Sequence, residues 1–423
     1  MVKCSIVPSV KTGLFSQYRG LRKELYILFI GRIMTNMGAM IWPMFTLILN
    51  QKLGMNATTI AACVIIFGMV NLPVSLIGGK LADKLNKKNI IVFCDLVSIA
   101  SFIYCAIVPV TITSIAIFAL ASLFQTIEWP SYDALVADFS TSKDRERAYS
   151  LSYLGTNLGL VLSPTIAGIL FNNHLNLAFL INGISIALST ALIFFRIRDV
   201  HREIDDSEAS GYEAELDSKV SAFSLIGKNR VILLFIIASA LASGVYGMYG
   251  YLMPLDMGNT YAEQGSVLFG SMSSVNCIVV VTCTALITRV FRKVRECGKM
   301  IAGEGLIITG YLLFLLFIRK PWMCFVAIAV FTFGEIFNTL SSSPFLTRRI
   351  PASHRGRILS VMNVVCGIFS SGVQLMVGML YDRSGSPAAW TTIIAIGLAE
   401  ILIISIMAGF DRKDYPDLYR PIG

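Results

Sequence analysis

Long apolar runs separated by short polar breaks form the pattern of this chain. A helix needs about 20 apolar residues to cross roughly 30 Å of hydrocarbon, and runs of that kind recur from end to end. No run alternates apolar and polar residues as the strands of a membrane β-barrel do. The pattern predicts twelve membrane-spanning helices, at 24–50, 58–80, 88–110, 112–138, 146–171, 176–197, 228–252, 264–290, 298–319, 321–347, 355–381 and 387–411.

Composition supports this pattern. Hydrophobic residues make up 55% of the chain and charged residues 14%, whereas soluble domains carry about 25% charged residues. The nine cysteines are scattered, and none forms a CxxC motif. We therefore expect an all-α polytopic membrane protein with no metal and no cofactor.

The basic residues predict the orientation. Lys and Arg crowd the loops on the side of the two termini, whereas the opposite side has Lys52, Arg319, Lys320 and Arg383. Cytoplasmic loops carry the excess of positive charge, so we expect both termini in the cytoplasm and the chain in the cell membrane. This distribution, together with attraction to anionic lipid, accounts for the net charge of +9 without a nucleic-acid partner.

An acidic stretch with few large apolar residues lies mid-chain, from about 198 to 223. It predicts a first six-helix bundle at 1–197, a cytoplasmic linker at 198–227 and a second bundle at 228–423. The segment at 142–155 is similar to that at 352–365, an offset of 210 residues. Such a repeat predicts two pseudo-symmetric bundles with a substrate site between them near the membrane midplane.

The loop between the second and third spans reads GGKLADKLNKK, at 78–88. Its glycines predict a tight turn, Asp83 places a carboxylate there, and the lysines favour the cytoplasmic side. A plain turn with positive charges is the alternative interpretation. The candidate gating residues are Gly79, Asp83, Lys84, Lys87 and Lys88, together with Asp138 and Arg145.

With twelve spans and two halves, this loop resembles the signature of the major facilitator superfamily. That signature runs Gly, three residues, Asp, a basic residue, one residue, usually Gly, one residue and two basic residues. Asn86 replaces the second Gly here, and Asn is the residue that next best tolerates positive φ. The resemblance implies a secondary transporter with alternating access. In it Asp83 forms a cytoplasmic latch with the N-terminus of a facing helix or with Arg145 and Arg147, and Asp138 joins that latch.

Small residues recur in the fifth span, LGTNLGLVLSPTIAGIL, at Gly155, Gly159, Pro164 and Gly168. They predict close helix packing, with a bend or a stiffened helix at Pro164. The string also resembles the fifth-span signature of the proton-driven drug antiporters in the superfamily, although Ser163 and Ala167 replace two glycines of that signature. Generic close packing is the alternative interpretation.

Ionisable groups inside spans point to function, because each costs roughly 2.5–3.5 kcal/mol at the bilayer centre and needs a partner or a cavity. Four residues qualify: Arg32, Glu128, Glu335 and Glu400. For Glu400 we expect helix packing. Four others lie nearer the predicted cytoplasmic ends, where they reach headgroups or loop cations: Asp95, Asp133, Asp138 and Glu304.

The 210-residue offset maps Gln125 to Glu335 and Glu128 to Asn338. Each half then has one Glu and one amide three residues apart, on one helical face. By the resemblance, the first, fourth, seventh and tenth spans line the cavity. We expect Glu335 to be the main proton carrier and Glu128 the second, since burial and water access change how readily a carboxyl binds a proton.

Arg32 and Asn36 lie one turn apart on the first span. Two interpretations stay open: they bind a polar or anionic substrate group, or Arg32 pairs with Glu128 or Glu335. Tyr246 and Tyr249 provide an aromatic surface, which suits either apolar ligands or the membrane interface.

We therefore expect a proton-coupled exporter of amphipathic small molecules or drugs. The alternative is a proton symporter or facilitator that imports a sugar, amino acid or organic acid, and a membrane sensor or scaffold without transport is a third class. No phosphate-binding motif appears, and His174, His201 and His354 fall in loops, so we expect no enzyme. The expected partners are the small-molecule substrate, protons and the lipid bilayer, and we expect a functional monomer.

Overall fold

A computed structural model describes residues 18–141, 144–197, 226–227, 229–291, 294–350 and 355–419. Twelve helices in these ranges are long and apolar enough to cross a membrane, which confirms the predicted spans. The continuous ones are α2 (Ala57–Lys84), α3 (Lys87–Ile107), α4 (Ile112–Asp138), α6 (Leu175–Arg196), α8 (Glu263–Val290), α9 (Glu296–Phe317), α10 (Pro321–Thr347), α11 (Arg355–Ser384) and α12 (Ser386–Asp414). The broken ones are α1 (Lys23–Met37 and Ile41–Leu47, with a π turn to Lys52), α5 (Arg145–Leu160 and Ser163–Phe171) and α7 (Arg230–Gly247 and Leu252–Tyr261).

Each broken helix resumes just before a proline: Pro43, Pro164 or Pro254. Proline lacks the N–H that would bond the carbonyl four residues earlier, and that carbonyl lies at or beside the break in all three helices. At Pro164, where the sequence predicted a bend or a stiffened helix, α5 is therefore interrupted. The prolines inside α2, α4 and α10 do not interrupt those helices.

The helices pack as two groups of six. In the first group α3 packs on α4 and α6, α1 on α5 and α6, and α2 on α4. In the second, α9 packs on α10 and α12, and α7 on α11 and α12. The main contacts between the groups pair α5 with α8 and α2 with α11. The predicted linker lies outside the described residues apart from 226–227, so its bounds stay a prediction.

Backbone touches backbone where the second segment of α5 meets α8. A Cβ atom on Gly168 would lie 2.4 Å from the Ser266 carbonyl oxygen, and one on Gly270 would lie 2.1 Å from the Pro164 carbonyl oxygen. No side chain fits at such distances, so glycine is required at both positions. The predicted close packing of the fifth span therefore joins the two groups.

The groups are closed together on the side opposite the termini, where α2 begins and α11 ends. Thr46 donates a hydrogen bond to the Gly250 carbonyl (3.0 Å), and the Tyr251 hydroxyl donates to the Ala57 carbonyl (2.6 Å). Asp382 accepts from the backbone N–H groups of Ala57 (3.1 Å) and Thr58 (2.8 Å). We call this set of contacts the far-side closure.

The predicted glycine turn after the second span is wrong. Gly78 and Gly79 lie inside α2, which continues to Lys84. A Cβ atom on Gly78 would lie 2.9 Å from the Ile127 backbone, so this glycine serves close packing against α4. Asn86 has a φ of −63° and caps α3, because its side chain accepts from the Asn89 N–H. The turn therefore depends on helix capping and not on positive φ.

Candidate functional site

A cavity of about 390 Å³ lies among α7, α9 and α10 of the second group. Its wall includes Tyr246 from α7, Glu304 from α9, and Glu335 and Asn338 from α10. Two of these, Glu335 and Asn338, were predicted from the sequence to line a cavity. The cavity is small and partly polar, with an ionisable group on two of its three helices.

Two uncharged donors hold the Glu335 carboxyl in the cavity wall. The Tyr246 hydroxyl donates to Oε1 (2.9 Å), and Asn276 Nδ2 of α8 donates to Oε2 (2.7 Å). Asn276 is itself oriented by a second bond to Thr332 Oγ1 (2.9 Å). In the described part of the chain no Lys or Arg forms an ion pair with Glu335. A negative charge here is oriented by hydrogen bonds but is not neutralised by a protein cation.

Tyr246, which lines the cavity beside this carboxyl, belongs to a cluster of aromatic rings. The rings of Tyr246 and Tyr249 stack on Phe331, with centroids 5.8 Å and 5.4 Å apart. Tyr249 also contacts Phe269 of α8, at 6.0 Å. Ring faces attract cations and also bury apolar surface. The carboxyl and the exposed ring of Tyr246, backed by the rings behind it, provide a surface for a ligand that is both apolar and positively charged.

Arg32 is buried in the first group, where it contacts two neighbours on α4. Its guanidinium forms an ion pair with Asp133 (Nη2 to Oδ1, 3.2 Å) and lies 3.9 Å from the Tyr132 ring centroid. The expected direct pair with Glu128 or Glu335 is therefore replaced by a pair with Asp133. Glu128 remains close enough to interact with the Arg32 charge. Asn36 donates to the Arg32 carbonyl on its own helix (2.8 Å).

Glu128 is 7% exposed and contacts the carboxyl of Asp95 on α3. Asp95 is 5% exposed and accepts a hydrogen bond from Thr190 of α6 (2.5 Å). The expectation that Asp95 reaches headgroups or loop cations is wrong, because packing of α3 against α6 encloses it. Glu128 is thus buried between helices, with Asp95 and Arg32 as its polar neighbours. Gln125, on the same helix, is half-buried.

Sequence reasoning missed the pairing of Glu304 with Glu400. Their exposures are 1% and 3%, and a Cβ atom on Gly397, one turn before Glu400 on α12, would lie 3.1 Å from Glu304 Oε1, so the two acids are neighbours. Asn338 donates to Glu304 Oε2 (3.3 Å). Glu304 was expected near headgroups or loop cations, and Glu400 was expected in plain helix packing. The 210-residue offset relates Glu400 to Thr190, but it points to the pair only once the structure shows that Thr190 bonds Asp95.

The predicted gating residues are only partly described. Lys87 forms an ion pair with Asp138 (2.6 Å), so two members of the set contact each other. Arg147 pairs with Asp144 (2.9 Å). The side chains of Asp83 and Arg145 lie outside the described part, and the latch between them stays a prediction.

The glycines of the fifth span serve two contacts. Cβ atoms on Gly155 and Gly159 would lie 3.0 Å and 2.7 Å from the carbonyl oxygens of Phe29 and Ile33 on α1. Gly168 faces α8 instead, as described above. The motif therefore brings α5 close to α1 at one end and to α8 at the other.

Twelve spanning helices in two groups of six, with ionisable groups buried among them, define a multi-pass membrane transporter. A family model described as Major Facilitator Superfamily matches residues 27–373, and the chain belongs to that family. The family prediction made from the loop and the span count is confirmed.

Two curated relatives cover most of the chain. One is the Na(+), Li(+), K(+)/H(+) antiporter of Planococcus maritimus, 24% identical over 367 residues, or 81% of this chain and 86% of the relative. The other is Multidrug resistance protein 1 of Bacillus subtilis, 22% identical over 379 residues, or 89% and 93%.

Solved structures share the fold. A POT family transporter in complex with 5-aminolevulinic acid has a TM-score of 0.74 at 14% identity, over 95% of this chain and 98% of that one. A D-xylose-proton symporter has a TM-score of 0.69 at 12% identity, over 91% and 96%. At these identities the likeness concerns the fold alone.

Proposed function

We propose that this chain exports amphipathic cations from the cytoplasm in exchange for protons. The observation that carries the proposal is Glu335, a cavity carboxyl with two neutral donors and no ion pair to the described residues. The cavity-lining ring of Tyr246, supported by stacking on the buried Phe331, suits the apolar part of such a cation. One carboxylate binds either a proton or the cation, and this competition couples the two fluxes.

The cycle follows from that competition. When the cavity faces the cytoplasm, the cation pairs with the Glu335 carboxylate and stacks on the ring of Tyr246. The proton of Glu335 then leaves to the cytoplasm. When the cavity faces the other side, a proton neutralises Glu335 and the cation loses its counter-charge. The two groups alternate between these states, and the ligand shifts the balance only through its different affinity for each. Tyr246 and Asn276 keep the carboxyl in place throughout.

A second candidate is the exchange of Na⁺, Li⁺ or K⁺ for protons. The relative from Planococcus maritimus bears that activity in its name, at 24% identity. Hard cations bind oxygen ligands, and the chain has buried carboxyl groups at Asp95, Glu128, Glu304 and Glu400. The multidrug relative supports the first candidate, at 22% identity.

Vesicles that contain the purified chain and a trapped pH dye separate these candidates. A lipophilic cation, tetraphenylphosphonium, is added outside at constant pH, with NaCl, LiCl and KCl as separate arms and a neutral triphenyl compound as control. We expect proton movement out of vesicles that take up the phosphonium, and none with the neutral compound. Glu335→Gln should abolish this exchange, because Gln binds neither a proton nor a cation by charge.

Glu263→Gln is the matched control, because Glu263 is an exposed Glu at the start of α8, away from the cavity. It should exchange at the wild-type rate. Proton movement with the salts but not with the phosphonium would replace the first candidate by the second. Downhill uptake of a sugar, amino acid or organic acid together with protons would establish the importer instead, and flux that is indifferent to pH would refute proton coupling.

A further inference from the structure

Each half of the chain buries one polar cluster, and the 210-residue offset relates them. The offset takes Glu128 to Asn338 and Thr190 to Glu400, and it takes Asp95 to within one residue of Glu304. In the first half the three groups are contributed by α3, α4 and α6, and in the second by α9, α10 and α12. Both clusters contain two buried, neighbouring carboxyls, although the acids stand on different helices of the two sets.

The two clusters differ in their counter-charge. Arg32 lies close enough to interact with Glu128 and Asp95. The same offset takes Arg32 to Ala242, which lines the cavity beside Glu304 and has no charge to offer. Among the described residues no ion pair involves Glu304 or Glu400. The second cluster therefore has two carboxyls and no protein cation.

Hydrogen bonding points the same way. Oε1 of Glu304 and Oε2 of Glu400 are buried and have no hydrogen-bond partner in the described part of the chain. Ionised carboxyls are acceptors only, so two of them in contact have no hydrogen to share. One proton turns one carboxyl into a donor to the other and removes the repulsion between two buried negative charges.

The groups that face this pair do not supply the missing charge. Tyr311 of α9 interacts with Glu304, and Tyr246 of α7 and Glu335 of α10 share the cavity wall with it. Asn338 donates its amide to Glu304. The described residues of α8 and α11 place no cation against either carboxyl. A phenol, an amide and a further acid surround the pair, and none is a cation at neutral pH.

We propose that Glu304 and Glu400 share one proton and form a second proton-binding site that opens into the Glu335 cavity. Because Glu304 is part of the cavity wall, this proton exchanges with water by the same route as the proton on Glu335. This inference rests on the proposed proton exchange for its role. With one proton on Glu335 and one on the pair, the cavity holds two protons, and a cation bound in that cavity supplies the counter-charge that lets both leave in each cycle.

Infrared spectroscopy of the protein in lipid nanodiscs tests the shared proton directly. Protonated carboxyls have a C=O stretch distinct from that of carboxylates, and the spectra need no transport. We expect the pair to contribute a protonated-carboxyl band at neutral pH, and this contribution should disappear in the double variant Glu304→Gln/Glu400→Gln. In Glu335→Gln the contribution of the pair should keep its wild-type intensity. The loss should equal one carboxyl, whereas a pair with two protons would lose twice that intensity. A double variant with an unchanged spectrum overturns the proposal.

Proton release in weakly buffered detergent solution tests the role. Addition of tetraphenylphosphonium should release about half as many protons from the double variant as from the wild type. Release equal to that of the wild type would overturn the role of the pair. If neither the wild type nor the double variant releases protons while the infrared band behaves as expected, the proposed function fails and the shared proton stands. Single variants Glu304→Gln and Glu400→Gln keep the test usable if the double variant does not fold.

Discussion

Replacing Asp382 by Asn should loosen the far-side closure. Asp382 accepts hydrogen bonds from the N–H groups of Ala57 and Thr58 and from the Thr58 hydroxyl, at 3.1, 2.8 and 2.6 Å. Because α2 begins at Ala57, this carboxylate of the second group lies at a helix N-terminus of the first group. The first N–H groups of a helix lack helical partners and attract negative charge.

The size of the effect follows from what Asn retains. Asn keeps one acceptor oxygen, but it loses the second acceptor and the charge. A charge at an exposed helix end contributes about 0.3–1 kcal/mol, and one hydrogen bond about 0.5–1.5 kcal/mol. Since Asp382 is exposed to water, we take a total of about 1 kcal/mol, which shifts the balance between closed and open states about 5-fold.

Hydrogen–deuterium exchange of the protein in nanodiscs measures this shift. Peptides that cover the start of α2 should exchange about 5-fold faster in Asp382→Asn, because the amides at 57 and 58 are freed whenever the closure opens. Asp414→Asn is the matched control: Asp414 is another exposed acid at a helix end, but its partner Arg230 belongs to the same group (2.6 Å). Wild-type exchange rates in Asp382→Asn, or equal acceleration in both variants, would refute the reasoning.

Two further predictions concern packing. The buried guanidinium of Arg349 bonds both Asp411 oxygens, at 2.5 and 2.6 Å. Asp411→Asn should lower the free energy of unfolding by about 3–5 kcal/mol, because it leaves this guanidinium without its counter-charge. An unchanged thermal unfolding midpoint would contradict this. Gly270→Ala should force α5 and α8 apart, because its Cβ would lie 2.1 Å from the Pro164 oxygen. We expect faster exchange at the start of α2, whereas Gly305→Ala, with open space around its Cβ, should behave as wild type.

The sequence predicted the helices well, because the length of an apolar run is a local property. It predicted the partners of the buried charges less well, because these depend on which faces of helices meet. Arg32 and Asp133 are 101 residues apart along the chain, and the spans are apolar all round, so their sequence does not mark the face that turns inward. Asp95 and Glu304 were placed by their position along a span, whereas lateral packing decides their burial.

The loop at 78–88 shows the same limit at shorter range. Its place between two spans was predicted correctly, but Gly79 was assigned to the turn when α2 in fact continues to Lys84. A glycine permits a turn and equally permits a close helix contact, and the choice depends on the neighbour. For Gly78 that neighbour is α4, which the sequence places 49 residues away at Ile127. The 210-residue repeat was the one sequence feature that carried three-dimensional information over long range.

The break in α7 connects the cavity wall to the far-side closure through a few residues of one helix. Just before the break, Tyr246 bonds the Glu335 carboxyl. Within the break, the Gly250 carbonyl and the Tyr251 hydroxyl bond the first group at Thr46 and Ala57. Residues 248–251 form turns in place of a regular helix between the two segments of α7. Under the proposed exchange, the stretch 246–251 links the proton site at one end to the far-side closure at the other. Its rigidity then determines how strongly protonation of Glu335 is coupled to opening of the closure.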